Sequence, residues 1–353
     1  MKKYLLIMIG IIFLLTGCLK QEENSPQNVQ QTNKNDNMEI IAQDLRVPWA
    51  IDWDGTSFYI SERTGSIMKI TGDEKIRQKL HLEKKLSTAA EAGVLGFVLH
   101  PEKKNDAFLY YTYEDENGQF NRVVEIREKN NEWFEEKVLL DHIPSGSFHH
   151  GGRIKIGPDK KLYITTGDAT DAMIAQDKTS LGGKILRMNL DGTIPNDNPY
   201  PNSLVYSYGH RNPQGLAWDE TGQLYSSEHG SIAHDEINLI KPKGNYGWPF
   251  IQGYETKEGM ITPLFHSGDH TWAPSGIAYH QGILYVAQLR GEGILAFDLK
   301  NKTYKQIVSN VGRVRDVFIL EDHLFFVTNN TDGRGTPVKH DDKLIKIPIP
   351  KAI

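Results

Sequence analysis

One short pattern returns six times along this chain: an apolar, aromatic-bearing stretch, a polar turn, then a second apolar stretch. It appears as Phe58-Tyr59-Ile60 with Ile67-Met68-Lys69-Ile70, as Leu109-Tyr110-Tyr111 with Val123-Val124-Glu125-Ile126, and as Leu162-Tyr163-Ile164 with Ile185-Leu186-Arg187-Met188. The later copies are Leu224-Tyr225-Ser226 with Ile237-Asn238-Leu239-Ile240, Leu284-Tyr285-Val286 with Ile294-Leu295-Ala296-Phe297, and Leu324-Phe325-Phe326 with Leu344-Ile345-Lys346-Ile347. With Tyr59, Tyr110, Tyr163, Tyr225, Tyr285 and Phe325 as markers, the spacings are 51, 53, 62, 60 and 40 residues. No convincing helical stretch intervenes. Repeats of this length, built from strands and turns, predict propeller blades rather than a helical solenoid.

A further apolar segment precedes each copy, as in Trp49-Ala50-Ile51-Asp52-Trp53, Val94 to Leu99, Arg153-Ile154-Lys155-Ile156, Leu216-Ala217-Trp218, Ile277-Ala278-Tyr279 and Val317-Phe318-Ile319. Gly157-Pro158-Asp159 and Asp219-Glu220-Thr221-Gly222 supply turns between strands. The expected fold is therefore all-β: a six-bladed β-propeller with four-stranded antiparallel blades, spanning 39–353. A large two-sheet sandwich is the alternative.

The N-terminus reads as an address. Lys2 and Lys3 precede an apolar run from Tyr4 to Leu15, too short for a comfortable membrane span. The run ends in Leu15-Thr16-Gly17-Cys18, which resembles the bacterial lipobox. Residues 1–17 are thus expected to be a cleaved signal peptide. Cys18 would carry the lipid that anchors the protein outside the cytoplasmic membrane, and 18–38, rich in Gln, Asn, Glu and Ser, would be a solvated tether. Cys18 is the only cysteine, so no intramolecular disulfide can form. A net charge of -5 and the lack of any long basic run argue against nucleic acid as a partner.

A propeller gathers loops from every blade at one end of a central channel, so distant residues can converge there. Four motifs carry candidate chemistry. Gly209-His210-Arg211-Asn212-Pro213-Gln214-Gly215 packs polar donors beside a stiffening proline, which suits an anionic or polyoxygenated ligand. His149-His150-Gly151-Gly152-Arg153 offers a side chain able to take a proton near neutral pH, with glycines that allow close backbone approach. A zinc site using these histidines with His142, His210, His229 or His234 is the competing reading. Glu228-His229-Gly230-Ser231 with Asp235, Glu236 and Gly244 to Pro249 offers carboxylates and outward carbonyls of the kind calcium prefers. Arg290, Arg313 and Arg315 lie beside inner-type strands, and 313 and 315 share a strand face. With Arg211 they make four potential cations for a ligand bearing several carboxylates.

In this combination the chain resembles the soluble quinoprotein glucose/aldose sugar dehydrogenases, propellers that use pyrroloquinoline quinone (PQQ) and calcium. The likeness rests on Gly93-Val94-Leu95-Gly96, His149 to Arg153, Gly182 to Arg187 with Asp191 to Pro195, Gly209 to Gly215, Asp235 to Asn238, Asn245 to Pro249, Ala273 to Gly276 and Arg313 to Asp316. It implies that His149 is the general base taking the proton of the sugar's C1 hydroxyl while hydride passes to the quinone, with His150 the fallback. It implies that Arg211 and Asn212 contact the quinone, and that Arg290, Arg313 and Arg315 hold its carboxylates. Glu91 and His229 fall at further cofactor-contacting positions. Gly230 and Ser231 match backbone carbonyls on the catalytic calcium, and Glu236 and Tyr246 part of a second, structural calcium site.

The chain also departs from the glucose-oxidising branch. Phe148 stands where that branch has an acid just before the base, which predicts that His149 lacks its orienting partner. Glu91 and His229 each replace Gln, Ser231 replaces Pro, Arg290 replaces Lys, and the chain is shorter. These departures point to a broader aldose dehydrogenase that passes electrons to an external acceptor. The alternatives are a calcium-dependent sugar lactonase or hydrolase, and a cell-surface binding propeller without catalysis.

Overall fold

The structure, a computed structural model, describes residues 37–350. The expected signal peptide, Cys18 and all but the end of the tether lie outside the described residues. Among the described residues no helix is long and apolar enough to cross a membrane.

Every apolar segment assigned above to the six repeats falls within or overlaps a strand. They assemble into five sheets. Four have four antiparallel strands each, the first being Ile154–Ile156, Leu162–Thr166, Lys184–Met188 and Val205–Tyr208. The next two run from Pro213–Trp218 to Phe265–His266 and from Pro274–His280 to Thr303–Ser309. In the fourth, Val314–Leu320, His323–Thr328 and Leu344–Pro348 are completed by the N-terminal strand Glu39–Ala42, so the two ends of the fold are hydrogen-bonded together.

The fifth sheet has eight strands. It consists of two antiparallel halves, Pro48–Trp53 to Glu74–His81 and Val94–Leu99 to Glu132–Pro144, joined by a parallel seam of Lys79, Leu80 and His81 against Glu132, Trp133 and Phe134. At the seam Trp133 Nε1 donates to Gln78 Oε1 at 2.8 Å, and the Gln78 amide passes the chain on to Glu128 at 3.0 Å. These outer strands, with Val205–Tyr208 and Thr303–Ser309, escaped the sequence reading. Polar residues take inward positions on them, as buried Gln78 does at the seam, so the apolar alternation of a half-buried strand is broken.

The six aromatic markers are all buried, each on the second strand of its unit. Three use one device: Tyr59, Tyr163 and Tyr225 donate their hydroxyls to Asp54, Asp159 and Asp219, the aspartates of the preceding turns, at 3.0, 3.0 and 3.2 Å. The aspartates also accept backbone N–H groups of their own turns, so each hairpin is pinned by its own strand.

The first strands converge so closely that two positions exclude a side chain: a Cβ at Gly96 would sit 2.3 Å from Gly152 O, and one at Gly276 1.7 Å from Asp316 Oδ1. Between them Arg153 Nη1 donates to Asp316 Oδ2 at 2.9 Å, and its guanidinium lies 4.1 Å above the Trp49 ring. Arg153 and Asp316 are each 1% exposed. Glu91, His149, Arg211 and Arg313 all lie just ahead of the first strands of their units. The same end of each inner strand therefore faces one channel mouth.

Candidate active site

That mouth opens into a pocket of about 500 Å³. It brings together Glu91, His149, Arg211, Asn212, His229, Gly230, Ser231, Arg290, Arg313 and Arg315. Glu236 and Tyr246 are not on its wall. They line a second, smaller void behind Arg211 and His229.

The two adjacent histidines have separate fates. His150 is 1% exposed and accepts from the Ser145 hydroxyl at Nδ1, while Nε2–H donates to Ala90 O at 3.1 Å. Both its nitrogens are spent, and burial pushes its pKa down. His149 lines the pocket in a left-handed conformation, φ +65, with Gly167 opposite, where a Cβ would come within 1.8 Å of His149 O. Its Nδ1–H donates to Asp168 Oδ1 at 2.7 Å. That bond places the ring proton on Nδ1 and leaves Nε2 as the free base.

The expectation that His149 lacks an orienting acid, drawn from Phe148, is thus overturned. Asp168 is 1% exposed and is itself held by Thr170 N–H at 2.9 Å and Trp248 Nε1–H at 2.8 Å. It comes from the loop after Leu162–Thr166, the strand that pairs with Ile154–Ile156. Running the register Ile154↔Ile164 back along the hairpin brings residues 168 and 169 beside 149, a signal present in the sequence once the pairing is known.

The cations differ in how far they are already satisfied. Arg211 packs its guanidinium 5.3 Å from the Trp248 ring, donates Nη1–H to His229 O at 3.3 Å, and leaves Nε buried without a partner. Burial lowers its pKa, so the site holds a positive charge at a cost. Arg315 donates to Asn329 Oδ1 at 3.0 Å and to Gln214 Oε1 at 2.9 Å, neutral partners both. Its burial drives the pKa down to about 9. Arg313 is otherwise: Asp332 Oδ2 takes its Nε and Nη2 at 3.0 and 2.7 Å. Arg313 and Arg315 both line the pocket, but they are not equivalent there, since the Arg313 charge is already paired. Arg290 is exposed on the rim. Asn212 is buried and accepts Gly151 N–H at 3.0 Å, tying the two central motifs together. His229 donates to Gln214 Oε1 at 3.1 Å, and burial lowers its pKa.

Asp235, a candidate metal ligand by sequence, is spent otherwise. Its carboxylate accepts from Gly230 N, Trp272 N, Ala273 N and Thr271 Oγ1 at 2.6–2.9 Å. It shapes the Gly230-Ser231 turn, where a Cβ on Gly230 would come within 1.9 Å of Ala233 O. Among the described residues no donor reaches the Gly230 or Ser231 carbonyl, so both remain available as ligands. The second void holds about 10 Å³, room for one water or ion. Glu228, Glu236 and Tyr246 line it, and Asn238 Oδ1 nearby is buried without a partner. Burial, with Glu228 beside it, raises the pKa of Glu236, and a cation in the void would relieve that. Among the described residues no group of three His, Cys, Asp or Glu side chains is placed to hold a metal.

A family model described as glucose/sorbosone dehydrogenase matches residues 45–340. The quinoprotein glucose dehydrogenase B of Acinetobacter calcoaceticus is 34% identical over 269 residues, 66% of this chain but 56% of that protein. The chain thus spans little more than half the length of that relative. The aldose sugar dehydrogenase of Escherichia coli is 25% identical over 338 residues, covering 84% of this chain and 91% of its own. Among solved structures, the PQQ-bound aldose sugar dehydrogenase of Streptomyces coelicolor superposes with a TM-score of 0.82 at 36% identity, over 88% of this chain and 97% of that one.

Proposed function

Because this chain belongs to the glucose/sorbosone dehydrogenase family, we propose that it is a PQQ- and calcium-dependent aldose dehydrogenase that oxidises the sugar at C1 to the lactone. We count six blades, taking the eight-stranded sheet as two. The observation that carries the reading is His149, its Nδ1 tied to the buried Asp168, lining a pocket whose walls hold undercompensated arginines. An aldehyde- or lactone-forming oxidation removes one proton and one hydride. Bound PQQ would supply the hydride acceptor, and Arg290 and Arg315 have charge left to hold its carboxylates.

The chain's own residues do the rest. His149 Nε2 takes the C1 hydroxyl proton, and Asp168 steadies the imidazolium that results. Arg211, fixed by Trp248 and by its backbone N–H to Glu228, sets a positive charge where negative charge develops. The Gly230 and Ser231 carbonyls would hold one calcium, and Glu236 and Tyr246 would contribute to a second. Electrons then leave to an external acceptor. The protein works outside the cytoplasmic membrane on a lipid at Cys18, and its recovery in the membrane fraction, lost in Cys18→Ala, is the check.

The test of the reaction is a titration of metal-stripped protein with PQQ and calcium, followed by a panel of aldoses, with the quinone's absorbance recorded. Tight binding followed by bleaching is the expected result. His149→Ala should bind PQQ as the native protein does and bleach slower by about 10²- to 10⁴-fold. Failure of the native protein to bind PQQ with calcium present would end this reading.

A further inference from the structure

Two opposite charges stand near the proposed base as neighbours that do not pair. Asp168 donates its backbone N–H to Arg211 O at 2.8 Å, which brings the two residues together. Asp168 is also the carboxylate that most offsets the burial penalty on the Arg211 guanidinium. Yet among the described residues no ion pair joins their side chains. Asp168 spends Oδ1 on His149 and Thr170 and Oδ2 on Trp248, while Arg211 Nε is left buried with no partner. An aspartate and an arginine in such surroundings would ordinarily close into a charge-assisted pair.

Trp248 stands at the junction. Its Nε1–H donates to Asp168 Oδ2 at 2.8 Å, and its ring centre lies 5.3 Å from the Arg211 guanidinium. One indole thus takes the carboxylate on its edge and the guanidinium on its face, the two positions that the charge distribution of an aromatic ring favours. The side chain is half-buried and lines the small void behind Arg211, not the main pocket. It therefore acts on the chemistry only through other groups. Its loop is fixed at several points. Trp248 N–H donates to Gly209 O at 3.0 Å, and Trp248 O accepts Gln176 Nε2–H at 2.6 Å. The Gln176 and Asn245 amides pair reciprocally at 3.0 and 2.9 Å, which ties the loop carrying Trp248 to the loop carrying Asp168. Gly209 is required at this crossing, since a Cβ there would come 2.3 Å from Asn245 Oδ1.

Resting on the quinone-binding reading, we propose that Trp248 is a positioning residue that keeps Arg211 and Asp168 from neutralising each other. The division serves both halves of the reaction. Asp168 stays with the Nδ1–H of His149, and Arg211 keeps its charge for the bound anion. Without the indole N–H, Asp168 Oδ2 loses its donor, and the Arg211 fork, with its unpartnered Nε–H, is the adjacent group that replaces it. The pair that then forms takes charge from the pocket and draws the carboxylate away from the base.

The test is the absorbance titration with PQQ in the presence of calcium. Trp248→Phe keeps a ring face but lacks the N–H, and should weaken PQQ binding about tenfold or more as Arg211 is drawn to Asp168. Adding Asp168→Asn should restore most of the affinity, because no carboxylate is left to capture the arginine. Sugar oxidation should not return with it, since His149 then lacks its acid. A tryptophan that only supports the fold gives no such rescue. Affinity that stays low in the double variant, or never falls in Trp248→Phe, overturns the proposal. If Trp248→Phe does not fold, Trp248→Gln and Trp248→Leu take its place. The first keeps an N–H donor and should retain more affinity than the second; equal losses overturn the proposal. A second arm uses cofactor-free protein and denaturant unfolding. Arg211→Gln and Asp168→Asn should be more strongly coupled in the Trp248→Phe background than in the native one. That result in a protein that never binds PQQ would leave the division of charge standing and remove the quinone. Equal coupling in both backgrounds would overturn the role of Trp248.

Discussion

Two buried arginines a short way apart in the channel have opposite surroundings. Arg153 faces a carboxylate, Asp316, at 2.9 Å and the Trp49 ring at 4.1 Å. Arg315 hydrogen-bonds neutral oxygens, those of the Asn329 and Gln214 amides and the Ser275 hydroxyl. Burial lowers the pKa of both, but Asp316 offsets the penalty at Arg153, whereas at Arg315 the nearest carboxylate, Asp332, is 3.8 Å away and already engaged by Arg313. A guanidinium desolvated against neutral groups is unstable unless an anion arrives. One arginine is therefore compensated within the fold, and the other keeps charge that its immediate partners do not match.

The largest effect belongs to the closed pair. Arg153→Ala leaves Asp316 buried with little more than the Ile51 N–H at 2.9 Å, and should cost about 3–5 kcal/mol in denaturant unfolding. Removing both charges in Arg153→Met with Asp316→Asn should recover a large part of that loss. A single variant that unfolds like the native protein would break the contrast, because Arg153 would then be no more structural than Arg315.

The contrast also marks how far the sequence could be read. Six buried aromatics at repeating intervals made the propeller legible, since packing between neighbouring sheets demands them. The outer strands were hidden because polar residues such as Gln78 take inward positions, and the parallel seam because Gln78 and Trp133 meet only in three dimensions. At the site, residue types and order located His149, Arg211, Arg313 and Arg315. What they lacked was partners. Nothing local distinguishes His149 from His150 until Ser145 and Ala90 consume both nitrogens of the latter. Asp168 needed the hairpin register, and Trp248 its contact with Asp168 from a distant loop.

The next effect sharpens the comparison. Arg315→Ala should weaken PQQ binding by about 1.5–3 kcal/mol, the worth of a charge-assisted hydrogen bond. It should cost less stability than Arg153→Ala, because no carboxylate is left behind. If both variants lose stability equally and PQQ affinity holds, Arg315 belongs to the fold and the pocket's charge must come from Arg211 and Arg290.

The smallest effect is expected at Arg313, and it decides whether compensation governs the pocket. Arg313 lines the same wall as Arg315, but Asp332 takes two of its N–H groups and Leu289 O a third at 3.1 Å. Little of its charge is left for a ligand. Arg313→Ala should therefore lower PQQ affinity less than Arg315→Ala does, in the same absorbance titration. Asp332→Asn should act the other way: it frees the Arg313 charge and tightens PQQ, at some cost to the loop that carries Arg334 through its N–H at 2.9 Å. Equal losses at 313 and 315 would mean that proximity alone sets the affinity, and that the neighbouring aspartate does not screen its arginine from the bound anion.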